Sequence, residues 1–195
     1  MKRGVMLPVV AVMLGYQPVA AQAVPAAEQV KIAVLAAPTD RRAGARVLGY
    51  DAAGKLVTLR EGTNDMVCSA DDPARDGFEV ACWHASIEPY MARGRQLAGE
   101  GVEGNDRNAI RWKEAESGAL RMPERPASLF ILTGQYDAAT GTVQDEYRRS
   151  VLYIPFATAE STGLSTQPSD VDPWIMHPGT AGAHIMITPP RARRN

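Results

Sequence analysis

Five side chains hold most of the chemistry open to this sequence: Cys68, Cys82, His84, His177 and His184, the complete set of its cysteines and histidines. His177 and His184 flank Pro178-Gly179-Thr180-Ala181-Gly182-Ala183 and adjoin two short apolar runs, 174–177 and 184–188. A hairpin centred between Thr180 and Ala181 would set residue 177 opposite 184 and 175 opposite 186. His177, His184 and Met186 would then project from one face. Two imidazoles and a thioether suit copper or zinc in an oxidising compartment. The plainer reading makes His184 a hydrogen-bonded pocket or core residue and Met186 a packing residue. In either case His177, His184 and Trp174 are the candidate binding residues, with Trp83 as a further wall.

Cys68 and Cys82 form an isolated pair, and outside the cytoplasm such a pair is expected to be a disulfide. Closing a loop of this size constrains the unfolded chain by roughly 3 kcal/mol. The enclosed segment begins with Asp71, Asp72, Pro73, Asp76 and Gly77, which make turns and do not pack themselves down. The competing possibility is a free Cys82 thiolate, in Cys82-Trp83-His84 at a helix entrance, with His184 as base: a cysteine-dependent hydrolase.

Other constellations are weaker. Asp170 and Asp172, with Glu160, resemble a hard-cation set, but Pro168 and Pro173 bound the aspartates in what reads as a solvated loop. Gly99, Gly101 and Gly104 imitate a phosphate loop without the strand before it or the Lys-Ser/Thr after it. Ser150 and Ser165 lack a nucleophile-elbow context, and no zinc-type Cys/His spacing occurs.

The elements that must position these residues read as strands, then helices, then strands. Ala45–Asp51 and Lys55–Arg60 flank Ala52-Ala53-Gly54 as a hairpin. Residues 30–36 are apolar and fit a strand or a helical turn equally well. After Cys82 the spacing of Ile87, Tyr90, Met91 and Leu97 predicts a helix. A second is expected around 108–116, with Arg111 placed for ion pairs with Glu114 and Glu116. Ser128–Thr133 and Ser150–Phe156 read as strands on either side of a turn at 137–141, with Pro155 marking an edge or an end. The expectation is an α+β domain, its sheet small and antiparallel or mixed, with two helices in the middle of the chain and one disulfide.

Lys2 and Arg3, the apolar run Val5–Leu14 and Ala21-Gln22-Ala23 have the layout of a secretory signal peptide over residues 1–23. The run is far short of the roughly 20 residues that span a bilayer, so no membrane span is expected in residues 24–195. Those residues are expected to form one domain with mobile ends at 24–29 and 189–195, periplasmic or secreted. The formal charge of −1 leaves no electrostatic footprint for nucleic acid.

The block Leu59-Arg60-Glu61-Gly62-Thr63-Asn64, then Cys68, Asp72-Pro73 and Cys82, resembles an uncharacterised family of exported bacterial proteins. So does the closing block Pro178-Gly179-Thr180-Ala181-Gly182-Ala183-His184-Ile185-Met186. The resemblance implies a small secreted domain and no particular activity. Taken together, the expectation is an exported binding or interaction module for a small molecule or a protein. A metal-assisted or cysteine-dependent hydrolase is the alternative.

Overall fold

The computed structural model describes residues 24–190; the leader expected at 1–23 and the tail 191–195 lie outside the described residues. Among the described residues eight strands make one mixed sheet. They are β1 (Arg46–Tyr50), β2 (Leu56–Arg60), β3 (Met66–Ser69), β4 (Phe78–His84), β5 (Ala127–Asp137), β6 (Thr142–Tyr153), β7 (Trp174–Met176) and β8 (His184–Ile187). Their order is β2-β1-β3-β4-β5-β6-β8-β7. Only β1 and β3 run parallel; every other neighbouring pair is antiparallel. The helices are α1 (Ala26–Ala33), α2 (Glu88–Gly99), α3 (Gly104–Glu116) and the short α4 (Ala159–Thr162). Among the described residues no helix is long and apolar enough to cross a membrane.

Alternation along the central strands gives the sheet two buried faces. Val47, Cys68, Val80, Cys82 and Leu132 turn to one side, where Ile32, Ala33 and the 3-10 turn Val34–Ala36 cover them. Their neighbours Leu48, Val67, Trp83 and Leu129 turn to the other, against Ile87 and Tyr90. Strands buried on both sides read as continuous apolar runs, not as clean alternation. Met66-Val67-Cys68 and Ala81-Cys82-Trp83 are such runs, and they escape a period-two reading.

The disulfide is therefore not a staple on a peripheral loop. Cys68 and Cys82 stand directly opposite each other in β3 and β4, bonded, with Cα atoms 4.0 Å apart and no solvent exposure. The turn-forming segment is the connection between these two strands. Trp83 and His84 belong to β4 as well. The helix expected directly after Cys82 begins only at Glu88, beyond a 3-10 turn at Ala85–Ile87. Cys82 is thus neither free nor at a helix entrance, which removes the cysteine-nucleophile reading.

Residues 24–29, expected as a mobile start, hold the beginning of α1, and the ambiguous run 30–36 is helical. Gln29 is the reason α1 docks where it does. Its Nε2 donates to the Tyr50 and Val24 carbonyls, each at 2.8 Å, and its Oε1 accepts from the Tyr50 N–H at 2.8 Å. The buried amide so takes up both main-chain groups of Tyr50 at the end of β1. Gly49 permits the approach, since a Cβ there would stand 2.6 Å from Gln29 Oε1.

In the second half, β6 starts earlier than residue 150 because it is the return arm of the turn after Asp137. Pro155 lies just beyond its end, and β6 is interior, paired with β5 and β8. Thiol titration of the native chain without reductant should detect no free thiol. The double substitution Cys68→Ala, Cys82→Ala should lower unfolding free energy in urea by about 2–4 kcal/mol.

Candidate functional site

The closing hairpin does not take the expected register. Met176 stands opposite His184, Ile175 opposite Ile185 and Trp174 opposite Met186, one residue away from a 177–184 pairing. His177 lies outside β7 altogether, in a connection too wide for a tight hairpin. Its φ is +55°, a left-handed conformation uncommon outside glycine though commoner for histidine than for most residues, so something must favour it here. The surroundings do: the His177 carbonyl accepts from both the Thr180 hydroxyl, at 2.8 Å, and the Thr180 N–H, at 3.3 Å. The connection is also pinned to the chain after β6, with Gly179 N–H donating to Ala157 O and Phe156 N–H to Thr180 O.

The imidazoles converge nonetheless, with His177 and His184 ring centroids 5.7 Å apart. Each continues into further aromatic contacts. Trp112 of α3 lies 4.9 Å from His177, and Tyr153 of β6 lies 5.0 Å from His184. Tyr153 meets Tyr90 of α2 edge-on at 5.8 Å, and Trp112 Nε1 donates to the Tyr90 hydroxyl at 3.1 Å. Five side chains thus close a ring that joins α2, α3, β6, β8 and the last connection. Gly182 lies against it; a Cβ there would fall 2.3 Å from Trp112 Nε1 and 2.9 Å from the Tyr90 hydroxyl oxygen.

Arg111 completes the cluster from α3. Its guanidinium sits 4.0 Å over the Tyr90 ring and donates to the Tyr90 carbonyl at 3.3 Å and to Asn108 Oδ1 at 2.5 Å. The ion pairs expected from Arg111 to Glu114 and Glu116 are not formed: Arg111 is turned to Tyr90 and Asn108, and Arg93 of α2 takes Glu114 through bonds of 2.6–3.0 Å. Burial lowers the Arg111 pKa below the usual guanidinium value.

Protonation follows from these surroundings. Burial pulls the His177 pKa down, and the nearby Arg111 charge adds to it. Burial likewise lowers that of His184, opposed by the Gly182 carbonyl and reinforced by His177. A carbonyl only accepts, so His184 Nδ1 carries the proton shared with Gly182 O at 2.7 Å. Nε2 of the neutral ring is left as an acceptor, with no hydrogen-bond partner among the described residues. The Tyr153 phenol is pushed up to about 12, mainly by burial.

The other expected participants fall into place around the ring. Trp174 is buried opposite Met186, on the face of the sheet that carries His184, and its indole nitrogen has no hydrogen-bond partner among the described residues. Met186 lies two residues along β8 from His184 on that same face, opposite Val151. Trp83 is not a wall of this site: β5 and β6 separate its strand from β8, and its N–H is bonded to Glu88 at 2.9 Å. His84 is remote as well, accepting from Ser86 N–H and lying 3.2 Å from Asp65. Asp170 and Asp172 are exposed in the connection before β7, and Glu160 is exposed in α4. Among the described residues no group of three or more His, Cys, Asp or Glu side chains is placed to hold a metal ion. A metal here would rest on two imidazoles and the Met186 thioether.

Tyr153, Tyr90, Trp112 and Arg111 are the site residues that sequence reasoning did not assign. Tyr90 is visible as a helix-face residue and Trp112 falls in the second expected helix, but nothing local to them signals histidines that lie far along the chain. No family model, curated protein or solved structure matches this chain.

Two outcomes follow from the geometry. An imidazole whose pKa is lowered by folding binds its proton more readily in the unfolded chain, so stability is lost as pH falls below the ordinary value of 6.5. Urea titrations between about pH 7.5 and 5 should show that loss, and His184→Gln should flatten it. Gly182→Ala should cost about 1–3 kcal/mol by overpacking the ring, read as a lowered urea midpoint at unchanged slope.

Proposed function

We propose that this chain is an exported binding or interaction module whose recognition site is the closing hairpin, with His177, His184 and Trp174 facing the ligand. The supporting observation is the meeting of two neutral imidazoles, 5.7 Å apart, of which His184 offers an unclaimed Nε2. An accepting nitrogen on His184, next to the His177 ring that packs on the Trp112 indole, suits a partner with a donor group and a flat apolar face. The buried Cys68–Cys82 bond is in keeping with an oxidising compartment, as is the leader-like composition of residues 1–23.

The second reading is a copper or zinc site at His177, His184 and Met186. It is favoured by the placement of Met186 on the His184 face of β8. Two side-chain nitrogens and one sulfur would leave coordination positions open on such a metal, which is the form a metal-assisted hydrolase would need.

Phenol, with its ring and its O–H donor, serves as the probe for the first reading. Copper(I) and zinc(II) alone serve for the second. The expected result is a saturable shift of the His177 and His184 ring proton resonances together, abolished in His184→Ala. Retained metal after desalting would select the second form. If neither phenol nor either metal moves the two imidazoles at millimolar concentration, the assignment of the hairpin as a site fails.

A further inference from the structure

A second feature on the helix-covered face points to a different ligand. A groove of about 960 Å³ lies between α2–α3 and the start of the β4 strand with the loop before it. Of the aromatic-ring cluster described above, only Arg111 also lines it. The volume is in the range of sites for small organic ligands.

Its walls carry opposite charges. On the helix side stand Arg107 and Arg111, one helical turn apart on α3. Neither has a carboxylate within ion-pair distance among the described residues, and Arg111 Nε is buried without a hydrogen-bond partner. Arg95 also lines the groove but is engaged with Glu88 at 2.6 Å. Gly94 keeps α2 from covering the guanidinium: a Cβ there would lie 2.7 Å from Arg111 Nη1. The first turn of α3 opens at the same groove, preceded by Glu103 at the rim, and no side chain caps it. Two uncompensated guanidiniums beside free helix N–H groups form an environment that favours an anion.

The facing wall has the reverse character. Asp71 and Asp72 line the groove and form no ion pair with a cation among the described residues. Asp71 Oδ1 accepts from Glu79 N–H at 2.9 Å and Asp72 Oδ1 from Ala74 N–H at 3.0 Å. Burial, with the neighbouring Asp72 and Glu79 charges, raises the Asp71 pKa. The Tyr50 phenol beside Asp72 is pushed up to about 12, mainly by burial. Arg75 also lines this wall but forms no ion pair among the described residues and acts on Asp71 only at a distance, while Asp76 and Glu79 keep the wall acidic on balance. An anion alone would satisfy one wall and be repelled by the other. A cation alone would meet the converse problem.

We propose that this groove binds a zwitterion of the short-peptide kind, its carboxylate against Arg107 and Arg111 and its ammonium against Asp71 and Asp72. The groove shares Arg111 with the aromatic cluster but none of His177, His184 and Trp174, so either assignment can fail without the other.

Calorimetry on the disulfide-intact chain tests it with three probes: trialanine, N-acetyl-trialanine and trialanine amide. Trialanine should bind, and removal of either terminal charge should weaken binding about tenfold or more. Arg107→Gln should erase the difference between trialanine and its amide. Asp72→Asn, which keeps the oxygen that accepts from Ala74, should erase the difference between trialanine and its acetylated form. Neither substitution touches the hydrogen bonds that hold Arg111 on Tyr90. Absence of heat with trialanine at millimolar concentration overturns the proposal. Equal affinity for all three probes does so too, as does preference for the acetylated form, which would mark a plain anion site.

Discussion

The pairing of β3 with β4 is the constraint on which the rest of the molecule hangs. These strands sit inside the sheet, and consecutive residues on them serve opposite layers. Cys68 and Cys82 face α1 while Val67 and Trp83 face α2. A slip of one position would exchange the two sets and leave neither layer with its partners. The covalent rung forbids that slip, because the two sulfurs meet only when residue 68 lies opposite residue 82. Once this register is held, Trp83 aligns with Leu129, Val151, Met186 and Trp174 in a row across five strands. The helix pair rests on that row.

Farther along the sheet no covalent bond is present, and aromatic contacts take its place. The closed ring of Tyr90, Trp112, His177, His184 and Tyr153 ties two helices to the last connection of the chain. Each contact of this kind is worth about 0.5–1.5 kcal/mol beyond burial, which offsets the cost of a left-handed histidine. The same closeness dries the imidazoles and keeps them neutral. Packing and the availability of His184 Nε2 are thus two results of one arrangement.

Much of the fold is legible in the residues, and the gaps have physical causes. The hairpin of β1 and β2, the turn after Asp137, the two central helices and the disulfide all rest on local signals: turn residues, helical spacing and a single cysteine pair. β3 and β4 are not legible in that way, because strands buried on both faces lose their alternation. α1 is hidden for a different reason: its docking depends on Gln29 meeting Tyr50, and a lone glutamine among alanines gives no sign of a distant partner. At the site, the approach of His177 to His184 can be anticipated from their flanking runs, but not its route. A hairpin centred on a different residue and a positive φ together produce the proximity that ideal pairing would have supplied. Arg111 is misjudged by a nearest-neighbour rule, since a residue from another helix, Arg93, competes for Glu114.

The placement of α1 also bears on the order in which the polypeptide can acquire its shape. This helix comes early in the chain, and while Tyr50 of β1 is an early support, others arrive late. Tyr136 donates to Glu28 across a separation of 108 residues, Arg148 donates to the Leu35 carbonyl across 113, and Leu132 closes the layer beneath it. Eight residues of helix are too few to persist unaided in water. A chain that stops before β5 can make the Gln29–Tyr50 bonds but lacks the contacts of Leu132, Tyr136 and Arg148, and the entropy of closing so long a loop slows the completion of this layer. Until β5 and β6 are available, the layer over Val47, Cys68 and Cys82 is left unfinished at its far side.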